Sequence, residues 1–124
     1  MNTKEFVAES NRIEGIIREP TVAEINEHDR FMALETVTVE ELERFVSVYQ
    51  PGAVLRVRAG LDVTVGDCSP PRGGPAIRMG LVAMLHCLDR PSPPSPWEIH
   101  IAYEALHPFT DGNGRSGRAL WAWT

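Results

Sequence analysis

Apolar residues recur at helical spacing through most of the chain, and prolines cut that pattern into segments. Phe6, Ile13, Ile16 and Ile17 fall near one helical face, which predicts a helix over about 3–17 that Pro20 stops. Thr21-Val22-Ala23-Glu24 and Thr38-Val39-Glu40-Glu41 have the form of capping boxes. They start helices over about 22–34 and 39–49, the second with Leu42, Phe45, Val46 and Tyr49 on one stripe. Pro51-Gly52 breaks the chain, and the period then shortens to two. Leu55, Val57, Leu61, Val63 and Val65 alternate with Arg56, Arg58, Asp62 and Thr64, apart from the Ala59-Gly60 step. That alternation predicts strand from Val54 to Val65, and the turn residues between Gly66 and Pro75 complete a small β-hairpin in the region 54–76. Ala76 to Arg90 is helical again, with Ile77, Leu81, Met84, Leu85 and Leu88 on one face. After the linker Pro91–Pro94, Ser95-Pro96-Trp97-Glu98 supplies an N-cap and a proline at the first helical position of a helix running to about Leu106. A last short helix starts near Gly114.

These elements describe a mainly α-helical fold with one hairpin. A length of 124 residues fits a single domain, 1–124, with one modest core. Net charge of −5 implies no basic face and argues against nucleic acid as a partner. The longest apolar stretches are too short to span a bilayer, and the N-terminus is too polar for a secretory signal. Cys68 and Cys87 lack metal-ligand spacing and read as free thiols of a cytoplasmic protein.

The chemistry concentrates between the last two helices, in His107-Pro108-Phe109-Thr110-Asp111-Gly112-Asn113-Gly114-Arg115-Ser116-Gly117-Arg118. Each residue type suits one part of a nucleotide phosphate. Glycines let backbone N–H groups approach an anion, and the helix that begins there adds its positive dipole end. Arginines supply forked donors for phosphate oxygens, and three residues apart on a helix they share a face. Aspartate is a hard oxygen ligand for Mg²⁺. A histidine can take a proton from an attacking hydroxyl. Pro108 pushes His107 out of the helical region and towards a loop. Phe109 anchors the loop in the core. His100, seven residues before His107, reads as a packing or supporting residue.

The run resembles the core motif of the Fic (AMP-transferase) family, H-P-F-x-[D/E]-G-N-G-R-x-x-R, at every defined position. The resemblance implies that His107 deprotonates a target hydroxyl and that Asp111 holds Mg²⁺ against the α- and β-phosphates of ATP. Gly112, Asn113 and Gly114 would form the anion nest, with Asn113 as a side-chain donor. Arg115 would engage the β-phosphate and Arg118 the γ-phosphate. Ser10-Asn11-Arg12-Ile13-Glu14-Gly15 is similar to the family's inhibitory pattern, [S/T]-x-x-x-E-[G/N]. By that likeness the N-terminal helix, within 1–19, is inhibitory, and its Glu14, one turn after Ser10, pairs with Arg118. The hairpin corresponds to a flap on which an extended segment of the target protein docks.

The resemblance implies transfer of AMP from ATP to a protein hydroxyl, autoinhibited by Glu14. Two alternatives stay open: removal of AMP from a modified protein at the same site, or a non-catalytic nucleotide- or partner-binding module. Some Fic-like sites also transfer a different phosphate-containing group. One departure stands out. The chain ends six residues after Arg118, where Fic domains typically continue with a longer motif helix and further helices. That implies a shortened domain with adenine binding in doubt. The apolar tail Ala119-Leu120-Trp121-Ala122-Trp123-Thr124 should be buried in the domain or covered by a second copy.

Overall fold

A computed structural model describes all residues 1–124 as six α-helices joined by loops. Local signals set most of their ends. α1 (Thr3–Ile13) begins at Asn2, whose side chain accepts the Glu5 N–H while Glu5 returns the bond. It stops well before Pro20, because Gly15 adopts φ +78 one residue past the cap, a left-handed turn that ends a helix. Ile16 and Ile17 therefore lie outside the helix. α2 (Val22–Met32) carries the full capping box of Thr21 and Glu24. α3 (Val39–Tyr49) has the Thr38 cap without the returning bond. α4 (Pro75–Cys87) and α5 (Pro96–Leu106) both open on proline, α5 behind a Ser95 cap. α6 (Asn113–Trp123) is the last.

No strand forms between Val54 and Val65, contrary to the alternation in the sequence. The only pairings are single bridges, Leu55 with Phe109 and Val65 with Cys68. The neighbours Leu55 and Arg56 are both buried, which the half-exposed strand that the alternation predicted would not allow. Arg56 is drawn inside to bind backbone carbonyls, and Gly60 and Gly66 bend the chain at φ +92 and +58. The region 54–74 is thus a folded loop rather than a hairpin, with exposed Val57 and Val65 standing where a strand would have put its inner face.

α6 is the centre of the packing and touches α1, α2, α3 and α5. Leu120 and Ala119 on α6 join Phe31, Leu42, Phe45, Val46 and Tyr103 in one core. Phe45 stacks on Tyr49 at 4.2 Å and meets Phe31 edge-on at 5.3 Å. The tail residues continue α6. The Trp123 indole N–H donates to Leu34 O at 2.9 Å, whereas Trp121 stays 46% exposed.

The N-terminal helix is fastened by buried polar groups on α2. Glu24 is 1% exposed. It takes both arms of the Arg18 guanidinium at 2.9 and 3.1 Å and a bond from Asn11. Burial alone would raise its pKa, but the bonds from Arg18 and Thr21 outweigh it and hold the carboxyl below its ordinary range. His28 packs its ring on Phe6 of α1 at 4.8 Å, and burial lowers its pKa. Both shifts have the same sign for stability. A depressed pKa means the unfolded chain binds the proton first, so stability is present above the unfolded value and is lost as pH falls. The His28 contribution should erode first, below about 6.5, and that of Glu24 below about 4.3. Urea midpoints are expected to fall between pH 7 and pH 5, and His28→Gln is expected to flatten that interval. An unchanged slope in the variant would assign the acid step elsewhere.

Candidate active site

α5 and α6 meet at a corner, and the residues 107–118 line it. His107 closes α5. It is the only non-glycine residue with positive φ, at φ 48 and ψ 63. Pro108 alone points to an extended loop, but the chain takes the left-handed turn instead. The His107 N–H still closes the last turn of α5 on Tyr103 O at 2.9 Å, and the left-handed turn after it leaves the last α5 carbonyls to other donors. The His107 ring lies with Nδ1 3.3 Å from Glu104 O. A carbonyl only accepts, so Nδ1 carries the proton in that contact, which in the neutral ring leaves the lone pair on Nε2.

Phe109 is buried and anchors the loop. Asn113 locks it. Its Oδ1 accepts the Phe109 N–H at 2.9 Å and its Nδ2 donates to Phe109 O at 2.8 Å. Both side-chain groups are thereby used within the loop, so the side-chain donor expected at the anion nest is turned inward. What Asn113 offers a ligand is its backbone N–H.

α6 begins with Gly112 at φ 79 and without a side-chain cap. The N–H groups of Asn113, Gly114 and Arg115 have no acceptor within the chain; the first intrahelical bond is Ser116 N–H to Gly112 O at 3.1 Å. Three free donors and the helix dipole therefore converge on one point. Below them, the Ser116 hydroxyl donates to Gly112 O and lies 2.7 Å from the Tyr103 hydroxyl, which fixes the start of α6 against α5.

The two arginines differ. Arg115 is buried, with Nη1 on Tyr49 O at 2.9 Å, Nη2 on Gln50 Oε1 at 2.6 Å and Nε unpartnered. Arg118 reaches α1: Nε donates to Ser10 Oγ at 2.8 Å, and Nη2 to Ser10 O at 2.9 Å and Glu14 Oε2 at 2.6 Å. The Glu14 carboxylate lies over the first turn of α6, so close that a Cβ on Gly114 would stand 2.5 Å from Oε2. Only glycine fits at 114 with Glu14 in place. Asp111 is exposed and accepts the Gly112 N–H on Oδ1 at 2.7 Å, which leaves Oδ2 free. No group of three or more ligand-type side chains surrounds it.

These residues share a cleft of about 790 Å³ with Val63–Gly66 of the 54–74 loop and with His100 and Glu104 of α5. Sequence reasoning overlooked Glu104. The signal was present, since His100, Glu104 and His107 are spaced four and three apart, which puts them on one face. His100 lines the cleft too, its ring stacked on Trp97 at 5.6 Å and its Nδ1 buried without a partner.

Residues 28–124 match the Fic/DOC family. The chain belongs to that family. Neither the curated proteins nor the solved structures provide a match. Fic/DOC domains are generally associated with AMPylation or related nucleotide transfer, a transferase-type chemistry that generally uses ATP and Mg²⁺. The matched span of this Fic domain includes the cleft loop and all of α3 to α6. It excludes α1, so Ser10 and Glu14 lie outside the part that defines the family. No helix of this Fic domain is long and apolar enough to cross a membrane.

Proposed function

We propose that this Fic domain transfers AMP from ATP to a hydroxyl side chain of a target protein and that Glu14 restrains it. One observation carries the reading: three free N–H donors at the start of α6 sit beside a histidine whose Nδ1 is tied to a carbonyl. The donors suit a phosphate chain, and Nε2 of His107 suits a proton acceptor. The target oxygen attacks the α-phosphorus, its proton passes to Nε2, and the bond to pyrophosphate breaks. Arg118 binds the far end of the phosphate chain once Glu14 leaves it. Arg115, held by Tyr49 and Gln50, fixes the near wall.

The metal the family generally uses fits the donor set. Mg²⁺ takes one or two carboxylates and fills its shell with phosphate oxygens and water. Asp111 offers one free carboxylate oxygen at the mouth of the anion site. When bound, Mg²⁺ would neutralise charge on the phosphates. Asp111→Ala is expected to abolish Mg²⁺-dependent transfer while melting close to wild type, since the carboxylate is exposed. Retained activity with unchanged Mg²⁺ response would show that Asp111 only caps the turn.

The target would dock along Asp62 to Thr64. The N–H groups of these residues have no acceptor in the chain, and Val63 and Thr64 border the cleft, so an extended peptide can add to them. A second reading, removal of AMP, is favoured by the position of Glu14, whose carboxylate could orient water at the same site. The deciding experiment is incubation with α-labelled ATP and Mg²⁺, wild type beside Glu14→Gly, and in parallel with an AMP-modified protein. Label on protein in Glu14→Gly supports transfer. Release of AMP by wild type alone supports removal. Nucleotide binding with neither reaction makes the domain a binding module and ends the catalytic reading.

A further inference from the structure

Arg56 is fully buried, yet no carboxylate meets its guanidinium. Its donors go to four backbone carbonyls from two segments. Nε donates to His107 O at 2.7 Å and Nη2 to Leu106 O at 2.9 Å. Nη1 donates to Leu61 O at 3.1 Å and Pro71 O at 2.8 Å. The first pair are orphan carbonyls at the end of α5, where a cation is also favoured by the helix dipole. The second pair belong to the loop that borders the cleft. The backbone of the same residue repeats the arrangement. Arg56 N–H donates to Pro108 O at 2.9 Å, and Arg56 O accepts from Gly74 N–H at 2.9 Å, which closes the loop 57–73 at its base.

With no strand ladder, this loop has few internal bonds of its own. Its shape rests on the guanidinium. The left-handed backbone of His107 rests on it too, since both carbonyls flanking that residue's turn end on Arg56. A planar cation with five donors in fixed directions can hold two segments at one spacing; an ammonium cannot.

We propose that Arg56 is a positioning residue that locks the cleft loop to the turn of His107, so that the loop's position and the orientation of the His107 ring change together. This rests on the reading of His107 as the proton acceptor, but the lock itself is a property of the fold. A target that docks on the loop thereby sets the ring that must take its proton. The guanidinium is fully buried and lines no part of the cleft.

The test uses two variants and a readout that does not depend on activity. Arg56→Lys removes the fork. Gly73→Ala acts from the loop side alone, because a Cβ at 73 would stand 2.6 Å from Leu61 O, an acceptor of Arg56, and must displace it. It also stays testable if Arg56→Lys does not fold. Long-range ¹H–¹⁵N spectra report the tautomer of each histidine ring, with the His107 signals assigned by their loss in His107→Asn. In wild type His107 should be the Nδ1–H tautomer. Both variants should move it towards a mixture. In the Glu14→Gly background both should lower kcat for protein modification by about 10–100-fold, the scale of a misplaced catalytic group, with KM for ATP within about twofold. A purely structural role would lower melting temperature and leave the His107 signals of the folded fraction in place. Unmoved His107 signals in Arg56→Lys, or in Gly73→Ala, would overturn the lock. Moved signals in a protein that transfers no AMP would keep the lock and remove the proposed function instead.

Discussion

His107→Ala is expected to lower AMP transfer by about 10²–10⁴-fold, the usual contribution of a positioned base, while ATP still binds. The free N–H groups at the start of α6 and the Arg118 guanidinium, which would hold the phosphates in this reading, are not touched by the substitution. The backbone at 107 complicates the experiment. Its φ of 48 lies in the left-handed region, which histidine and asparagine adopt several times more readily than other non-glycine residues, so alanine there changes stability as well as chemistry. Asparagine tolerates this region and cannot act as a base, which makes His107→Asn the better control. Both variants should be equally inactive, with the asparagine variant melting closer to wild type. Label transfer measured over time, with ATP affinity measured alongside, gives the answer. Near-normal transfer by His107→Asn would remove His107 from the reaction.

Glu14→Gly is expected to raise transfer by about 5–150-fold, the span that about 1–3 kcal/mol of coupling produces. The carboxylate is 2.6 Å from Arg118 and covers the first turn of α6, so under the proposed function it would compete with phosphate for the same donors. The bridge itself adds little to folding. The Glu14 side chain is 36% exposed, and such pairs contribute only about 0–1 kcal/mol to folding. Melting temperature should therefore barely change while activity rises. Arg118→Ala should lose transfer in the presence or absence of Glu14. It also leaves the Ser10 carbonyl and hydroxyl without their donor, so some loss of α1 docking is expected in that variant alone. Equal rates for wild type and Glu14→Gly, measured at saturating ATP and again at limiting ATP, would remove the inhibitory role and leave the catalytic one standing.

The parts of this structure that were legible in the sequence are those decided within a few residues. The caps at Thr21, Thr38 and Ser95 are visible because donor and acceptor are three residues apart. The start of α6 follows from Gly-Asn-Gly, and the facing of Glu14 and Arg118 from a recognised pairing. The end of α1 was readable in principle, since Gly15 supplies the left-handed turn and Pro20 was the more conspicuous but more distant signal. The alternation at 54–65 misled for a different reason. Period two says which side chains share a face, but not whether a second strand exists to pair with. Arg56 shows what took its place, a buried cation two of whose four carbonyl partners lie about 50 residues away at the end of α5, beyond any local pattern. The same distance hid the seat of Arg115 on Tyr49 and Gln50. The inward turn of Asn113 was hidden more subtly. The amide is equally able to bind a phosphate or its own loop, and only the course of the backbone at Phe109 decides.

Glu14 and Arg118 belong to one polypeptide, and Asn11, Phe6 and Ser10 hold the intervening helix to the body. The carboxylate is therefore present at a fixed effective concentration, which dilution of the protein does not change. Any restraint it exerts would be the same at nanomolar and millimolar protein. A nucleotide would compete with a tethered group rather than a free one, and its apparent affinity would fall by the fraction of molecules in which the tether is closed. Relief would come from whatever competes for the bed of α1 on α2, and its dose-response would report the strength of that bed.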